Sequence, residues 1–351
     1  MAKIQLKTLP VGNLPYEDEM SATKMMVKLF EASPYLAMLP NASENENIKY
    51  RTFSNMPGVL VKNKKFYLSS DMEKFRQLSV KLDTVFNQPN TKEIESYKFD
   101  SYFFSKYLQI LNRIQPEETV INILGPFSAS QILINKSDEQ ILSDKMFRKF
   151  IIQSIAVKAI WAIQQIKNVS PKTTPIIILE EPLLHKIGDV KRANEDITRG
   201  IIVNLFAKVI EKIKEFGGVV GIQSFEKCDW QIPIEAGVDI ISFDAYNNPN
   251  NLSIIAEKIN DFLANGGRIN WGIVPVPNEA MVKSLTIDEV YNRFIKTIDM
   301  LVIAGVSEKL AYYRAIVSIN GDIDKLPLIF AEKALMISTQ LAKRIPIKTK
   351  S

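Results

Sequence analysis

Residues 200–243, GIIVNLFAKVIEKIKEFGGVVGIQSFEKCDWQIPIEAGVDIISF, hold one complete unit of the fold. Ile202, Leu205, Phe206, Val209, Ile213 and Phe216 recur at helical spacing, while Lys208, Glu211, Lys212 and Glu215 take the other side. That spacing predicts an amphipathic helix. Gly217-Gly218 stops it, and the chain runs straight into the strand Val219-Val220-Gly221-Ile222. A short polar helical segment, Ala236-Gly237 and a second strand over 239–243 follow. Helix, glycine stop and buried strand in succession predict parallel strands joined by crossover helices.

The same pattern extends through the chain. Buried-strand candidates fall at 8–12, 35–39, 119–124, 176–180, 219–223, 239–243, 269–274 and 315–319. Eight strands alternating with helices suit a closed (β/α)8 TIM barrel, an α/β fold, better than an open doubly wound sheet. The 351 residues, 46% of them hydrophobic, supply core enough for one such barrel, expected to span 1–351 as a single domain. The stretch 59–118 exceeds the needs of a crossover. It holds a capping-box pattern, Ser70-Asp71-Met72-Glu73, and two helical patterns separated by polar 87–95. We read it as a helical insertion packed on the barrel. Thr286-Ile287-Asp288-Glu289 predicts another capped helix start before the last strand. Neither a 20–50-residue repeat nor a low-complexity tract is evident.

Composition narrows the function classes. The net charge of +5 comes from 44 basic and 39 acidic residues spread along helices. The one dense basic cluster, in the tail 343–351, reads as a solvated end, so a nucleic-acid partner is not expected. The apolar runs are strand-sized, so no membrane partner is expected either. Met1 to Leu9 has no apolar stretch of signal-peptide length, and the single cysteine, Cys228, cannot form an intramolecular disulfide, which together lead us to expect a cytoplasmic protein. Neither a Gly-x-Gly-x-x-Gly nor a Walker-type phosphate loop follows any strand.

The strand ends carry a further signal. Gly12-Asn13-Leu14-Pro15-Tyr16 resembles the Gly-Ser-Leu-Pro-His string of methionine-synthase-like proteins. Pro34 to Pro40 resembles their Pro-x-Trp-Pro-Gln-Leu-Pro strand. Gly125-Pro126, Glu180-Glu181-Pro182, Cys228-Asp229-Trp230, Ser242-Phe243-Asp244-Ala245-Tyr246 and Trp271-Gly272-Ile273-Val274-Pro275 follow in family order. Each is weak alone; together they span residues 12–321. The chain thus resembles the catalytic C-terminal domain of cobalamin-independent methionine synthase, in the uroporphyrinogen decarboxylase superfamily. The resemblance implies a TIM barrel and a methyltransferase-type site at the strand ends. Decarboxylation of a porphyrin is disfavoured, because Tyr35 to Asn45 contains no arginine to clamp carboxylates.

The family's zinc ligands are where the resemblance departs. Its members hold zinc through a His-x-Cys pair, an acidic residue and a last cysteine, and the metal keeps a substrate thiol ionised. The matching positions here are Gln223, Phe225, Asp244 and Asn320. Carboxamides are poor zinc ligands and phenylalanine is none, so zinc is not expected. A relocated metal site from His185, Cys228 and Asp244 is an alternative, weighed against a surface histidine and a packed thiol.

By the same resemblance Glu180 is the acid that binds a substrate ammonium group, although it could instead pair with a basic rim residue. Asn13, Tyr16, Gln223, Asp244, Trp271 and Asn320 complete the candidate ligand set. Tyr16 stands where the family has histidine, and Trp271 could floor the pocket or fill the core. The expected function is binding of a small amino-acid or thiol-type ligand, with zinc-dependent methionine synthesis lost. Two rivals stand beside it: a catalytically inactive binding or partner subunit, and a methyltransferase that activates its thiol differently or receives methyl from a corrinoid protein.

Overall fold

The computed structural model describes residues 4–89, 92–99, 102–135 and 141–347. Its centre is a curled, seven-stranded, all-parallel sheet. In chain order the strands are β1 (Lys7–Thr8), β2 (Glu118–Leu124), β3 (Thr174–Glu180), β4 (Val219–Ser224), β5 (Ile240–Phe243), β6 (Arg268–Val274) and β7 (Ala315–Ile319). Their order across the sheet is β1-β7-β6-β5-β4-β3-β2. Every strand pair is parallel, so the C-terminal ends lie on one side. Helices connect the strands. The helix predicted from residues 200–216 is Arg199–Glu215, and its apolar stripe, Ile202, Leu205, Phe206, Val209 and Ile213, is buried.

The first two strand candidates are shorter than expected. Past Thr8, the 8–12 candidate continues only as an isolated parallel bridge, Asn13 to Met38, and 35–39 contributes that bridge and a second, Tyr35 to Val120. Prolines explain the loss of ladder. Pro10 and Pro34 have no N–H to donate, although Pro34 still accepts from Val120 N–H at 3.0 Å. Gly12, at φ +83°, then lets the chain turn against the loop after β7. A Cβ there would sit 2.7 Å from the Gly321 carbonyl oxygen, so only glycine fits.

Residues 59–118 are not purely helical. They open with an antiparallel hairpin, Val59–Lys62 with Lys65–Leu68, which the helical reading missed. Asn63 and Lys64 take left-handed φ at its turn. The helices Met72–Asn87 and Tyr102–Ile114 follow; the first is capped one residue later than the Ser70–Glu73 box predicts, by Asp71, whose carboxylate accepts the Lys74 amide. This segment packs on the long helix Lys145–Val169. Trp161 stacks against Phe99 and Phe104, and the buried Lys158 ammonium donates to the carbonyls of Ser54 and Lys98.

The Thr286–Glu289 capping box forms at the start of helix Ile287–Ile303. The basic tail is less free than its composition implied. Lys343 and Arg344 end the helix Leu328–Arg344, Arg344 bonds Asp288 and covers the Tyr291 ring, and Pro346–Ile347 pairs with Ile4–Gln5. The remainder of the tail lies outside the described residues. Among the described residues, no helix is long and apolar enough to cross a membrane.

Candidate functional site

Parallel pairing aligns one inward residue from each of several strands. Leu124 pairs with Glu180, Glu180 with Gln223, Gln223 with Ser242, and Ser242 with Asn270. Gln223, Ser242 and Asn270 bond to one another along this row, and Glu180 bonds Asn122, two residues before Leu124 on β2. Asn122 Nδ2 donates to Glu180 Oε1 at 2.6 Å. Ser242 Oγ donates to Gln223 Oε1 at 3.2 Å, and Asn270 Nδ2 donates to Ser242 Oγ at 2.8 Å and Ser318 Oγ at 3.0 Å. A row of polar groups at the C-terminal half of a parallel sheet, buried among aliphatic neighbours, is costly to keep unless it holds a ligand or orders the strands.

Glu180 is the group in this row with the most latitude. Its side chain is only partly buried, and among the described residues Asn122 is its one side-chain donor. Burial pushes its pKa up to about 7; Asn122 opposes that rise, the Asp322 carboxylate adds to it, and the Arg51 guanidinium reduces it. Near neutral pH this carboxyl therefore sits between its two protonation states.

Glu181, one residue on, has a different task. It is fully buried and accepts the amides of Phe127 at 2.9 Å and Ser128 at 2.7 Å, the first turn of helix Pro126–Ile132. Burial pushes it up to about 8 against those two donations. Gly125 makes room for it, since a Cβ there would lie 2.2 Å from Glu181 Oε1. Of the two acids in Glu180-Glu181-Pro182, one meets Asn122 of the neighbouring strand and the other caps the Gly125-Pro126 turn.

Around Glu180 stand groups that sequence reasoning passed over. Helix Ile48–Phe53 lies across the strand ends, where Thr52 Oγ1 accepts Leu124 N–H at 2.9 Å. From it Arg51 reaches inward, fully buried, and donates to the carbonyls of Leu36 at 3.2 Å and Ala37 at 2.8 Å and to Glu46 Oε2 at 3.0 Å. Those carbonyls belong to the segment that lacks a ladder, so the guanidinium supplies donors that a neighbouring strand would have supplied. Arg51 lies six residues beyond the arginine-free stretch Tyr35 to Asn45. Asp322 accepts Asn13 N–H at 2.8 Å, and the Tyr35 hydroxyl donates to the Gly12 carbonyl at 3.2 Å. An acid three residues past the last strand candidate was a signal available in the sequence.

The remaining predicted residues divide. Asn13 lies at the bridge to Met38, its Oδ1 buried without a donor among the described residues. Asp244 and Asn320 are brought together, but onto each other: Asn320 Nδ2 donates to Asp244 Oδ1 at 3.1 Å, and Asn247 adds its amide and its Nδ2, at 2.9 and 2.6 Å. Asn320 Oδ1 in turn accepts Val276 N–H at 3.0 Å. Tyr16 is tied to a helix, its hydroxyl donating to Glu332 Oε1 at 2.7 Å. Trp271 corrects the pocket reading: it is buried between Phe243 and Phe294, a residue of helix Ile287–Ile303, on the helix side of β6 rather than in the polar row.

The donor set does not fit zinc. Asp244 meets N–H donors on both oxygens, Gln223 Oε1 is engaged by Ser242, and Phe225 offers nothing. The relocated set is not assembled either. His185 is exposed on the short turn Leu184–Lys186, and among the described residues no three of His, Cys, Asp and Glu are placed to hold an ion. Burial pushes the Cys228 thiol well up, helped by the charges of Asp229 and Glu181, so it is no activated nucleophile. At pH 8 Cys228 is expected to alkylate with iodoacetamide about tenfold or more slowly than free cysteine, reaching the free rate only on unfolding. Faster labelling in the native protein contradicts that assignment.

No family model matches the chain, and no curated protein matches it by sequence. A solved structure does. The chain superposes on a methyltransferase from Methanosarcina mazei with a TM-score of 0.53 at 12% identity, over 96% of this chain and 94% of that one. The likeness is one of fold. It extends the length of both chains, insertion included, and carries no residue assignments with it.

Proposed function

We propose that the bridges at Asn13–Met38 and Tyr35–Val120 complete the seven-stranded sheet as an eight-membered (β/α)8 barrel, one domain with 59–118 packed on it. Its C-terminal mouth then binds a small cationic or zwitterionic ligand, an amino acid of the size of homocysteine or methionine, with zinc-dependent methionine synthesis lost. Glu180 is the observation that carries this: a carboxyl at a strand end, partly open, held by Asn122 and poised near pH 7. An ammonium group placed against it favours the ionised form, so binding drives off a proton. Arg51 does not reopen the carboxylate-clamp reading, because both its terminal nitrogens are committed to Leu36, Ala37 and Glu46.

Calorimetry with homocysteine, methionine and other amino acids tests the proposal. We expect binding that tightens as pH rises through about 7, that releases protons in buffers of different ionisation enthalpy, and that Glu180→Ala abolishes. Absence of binding by every zwitterion tried overturns it. Methyl transfer from a methyl-folate should be weak or absent, since the site offers nothing to lower a thiol pKa; brisk methionine formation without metal contradicts the loss of synthesis. The mutual saturation of Asp244 and Asn320 equally favours a second reading, a binding subunit without chemistry of its own.

A further inference from the structure

In the outer helical layer three helices enclose a groove of about 540 Å³: Met72–Asn87, Lys145–Val169 and Arg199–Glu215. Phe86, Ile152, Ile201 and Leu205 give it an apolar lining, and Lys145, Arg148, Lys149 and Lys208 stand around it. Two of these cations have acidic partners, Lys149 with Asp83 at 2.6 Å and Lys208 with Glu211 at 2.9 Å. The Arg148 guanidinium donates only to the backbone carbonyls of Leu142 and Ser143, and Lys145 has no carboxylate partner among the described residues. The groove therefore keeps an excess of positive charge beside an apolar lining.

The positive end is defined by two helix starts. Asn194 Nδ2 bonds Ser143 Oγ at 2.6 Å, which sets the segments leading into the helices at Lys145 and Arg199 side by side. Thr198 Oγ1 takes the Ile201 amide, leaving the amides of Arg199 and Gly200 without a protein acceptor among the described residues. A Cβ built on Gly200 would meet only Thr198 Oγ1, at 3.8 Å, so the space above this turn is open. The other end is closed by Phe86, whose ring lies under the Lys212 ammonium at 5.0 Å. Along the helix from Ile201 to Lys208 the distance is about 10 Å.

We propose that this groove binds an amphipathic anion, an unbranched apolar chain about 10 Å long ending in a carboxylate. The head group meets the amides of Arg199 and Gly200 beside Lys145 and Arg148, where the dipole of the Arg199 helix adds to the cations; the start of the Lys145 helix is already capped by the Asp144 carboxylate. The chain lies along Ile201, Leu205 and Ile152 toward Phe86. A volume of this size and an apolar lining with few polar groups are what small-molecule sites show. The site is independent of Glu180 and of the mouth.

Titration of the full chain with sodium decanoate, kept below its micelle concentration, tests the assignment. We expect saturable one-to-one binding. Decylammonium, with the same chain and opposite charge, should bind at least roughly tenfold more weakly. Lys145→Glu should weaken decanoate severalfold, and Asn204→Trp, at an exposed position on the groove wall, should abolish it with the far-UV spectrum and melting temperature retained. Glu180→Ala should leave it unchanged. Absent or non-saturating heat, equal binding of the two chain ions, or binding indifferent to both groove variants overturns the proposal.

Discussion

Arg51→Ala is expected to destabilise the protein by about 3–5 kcal/mol, the range for removing one partner of a buried, hydrogen-bonded ion pair. The side chains of Arg51 and Glu46 are 0% and 3% exposed. Truncation strips Glu46 of its guanidinium and leaves the carbonyls of Leu36 and Ala37 without donors, in a segment held by only two isolated bridges. Urea denaturation reads the loss as a lower midpoint. Arg51→Met combined with Glu46→Leu should recover most of it, because an apolar pair carries no orphaned charge. A single alanine variant as stable as wild type contradicts the placement of Arg51 in the interior. The same substitution removes a charge that lowers Glu180, so Glu180 should titrate above about 7 in any Arg51 variant that folds.

Glu181→Ala should cost roughly 2–5 kcal/mol, since it leaves two buried amides, those of Phe127 and Ser128, without an acceptor. Its titration adds a pH signature. Burial raises Glu181 from 4.5 to about 8, so the neutral form is favoured in the folded chain and folding takes up a proton between those values. Native stability should accordingly be highest near pH 5 and fall by a few kcal/mol toward pH 8, with Glu180 contributing over the narrower window from 4.5 to about 7. Glu181→Gln removes one titrating group and should flatten the profile, at the expense of turning an amide nitrogen toward a backbone N–H. Thermal melts from pH 5 to 8 measure both. A wild-type profile that rises across this range contradicts the assigned direction.

Much of the fold was legible because it is written in local periodicity. The apolar stripe Ile202 to Ile213, the glycine stop and the β-branched run Val219-Val220 need no distant partner to be read. Six of the eight strand candidates pair as ladder strands within a residue or two of their expected bounds; the Thr286 cap sits where its motif puts it, and the Ser70–Glu73 box gives way to a cap at Asp71, one residue on. The first two candidates paired least, and the prolines at 10 and 34 were the warning. The hairpin over 59–68 was missed because its strands are only four residues long and the first is largely exposed, so that alternation is confined to Phe66 and Leu68.

The candidate site was legible only as a set of residue types at strand ends. The sequence by itself determined that Glu180, Gln223, Asp244 and Asn320 would end parallel strands on one side, and that no thiolate or imidazole would stand at the positions aligned with zinc ligands. What each of those groups does was decided by tertiary structure. Asn320 meets Asp244 across 76 residues, Asn122 meets Glu180 across 58, and Arg51 finds carbonyls 15 and 14 residues behind it. Whether Glu180 or Glu181 faces the mouth, and whether Trp271 faces ligand or helix, depends on which side of a strand each occupies once its neighbours are packed. The physical reason is that burial preference is a property of one residue and its near neighbours, whereas satisfaction of a buried polar group is a property of whichever distant group the curled sheet brings within about 3 Å.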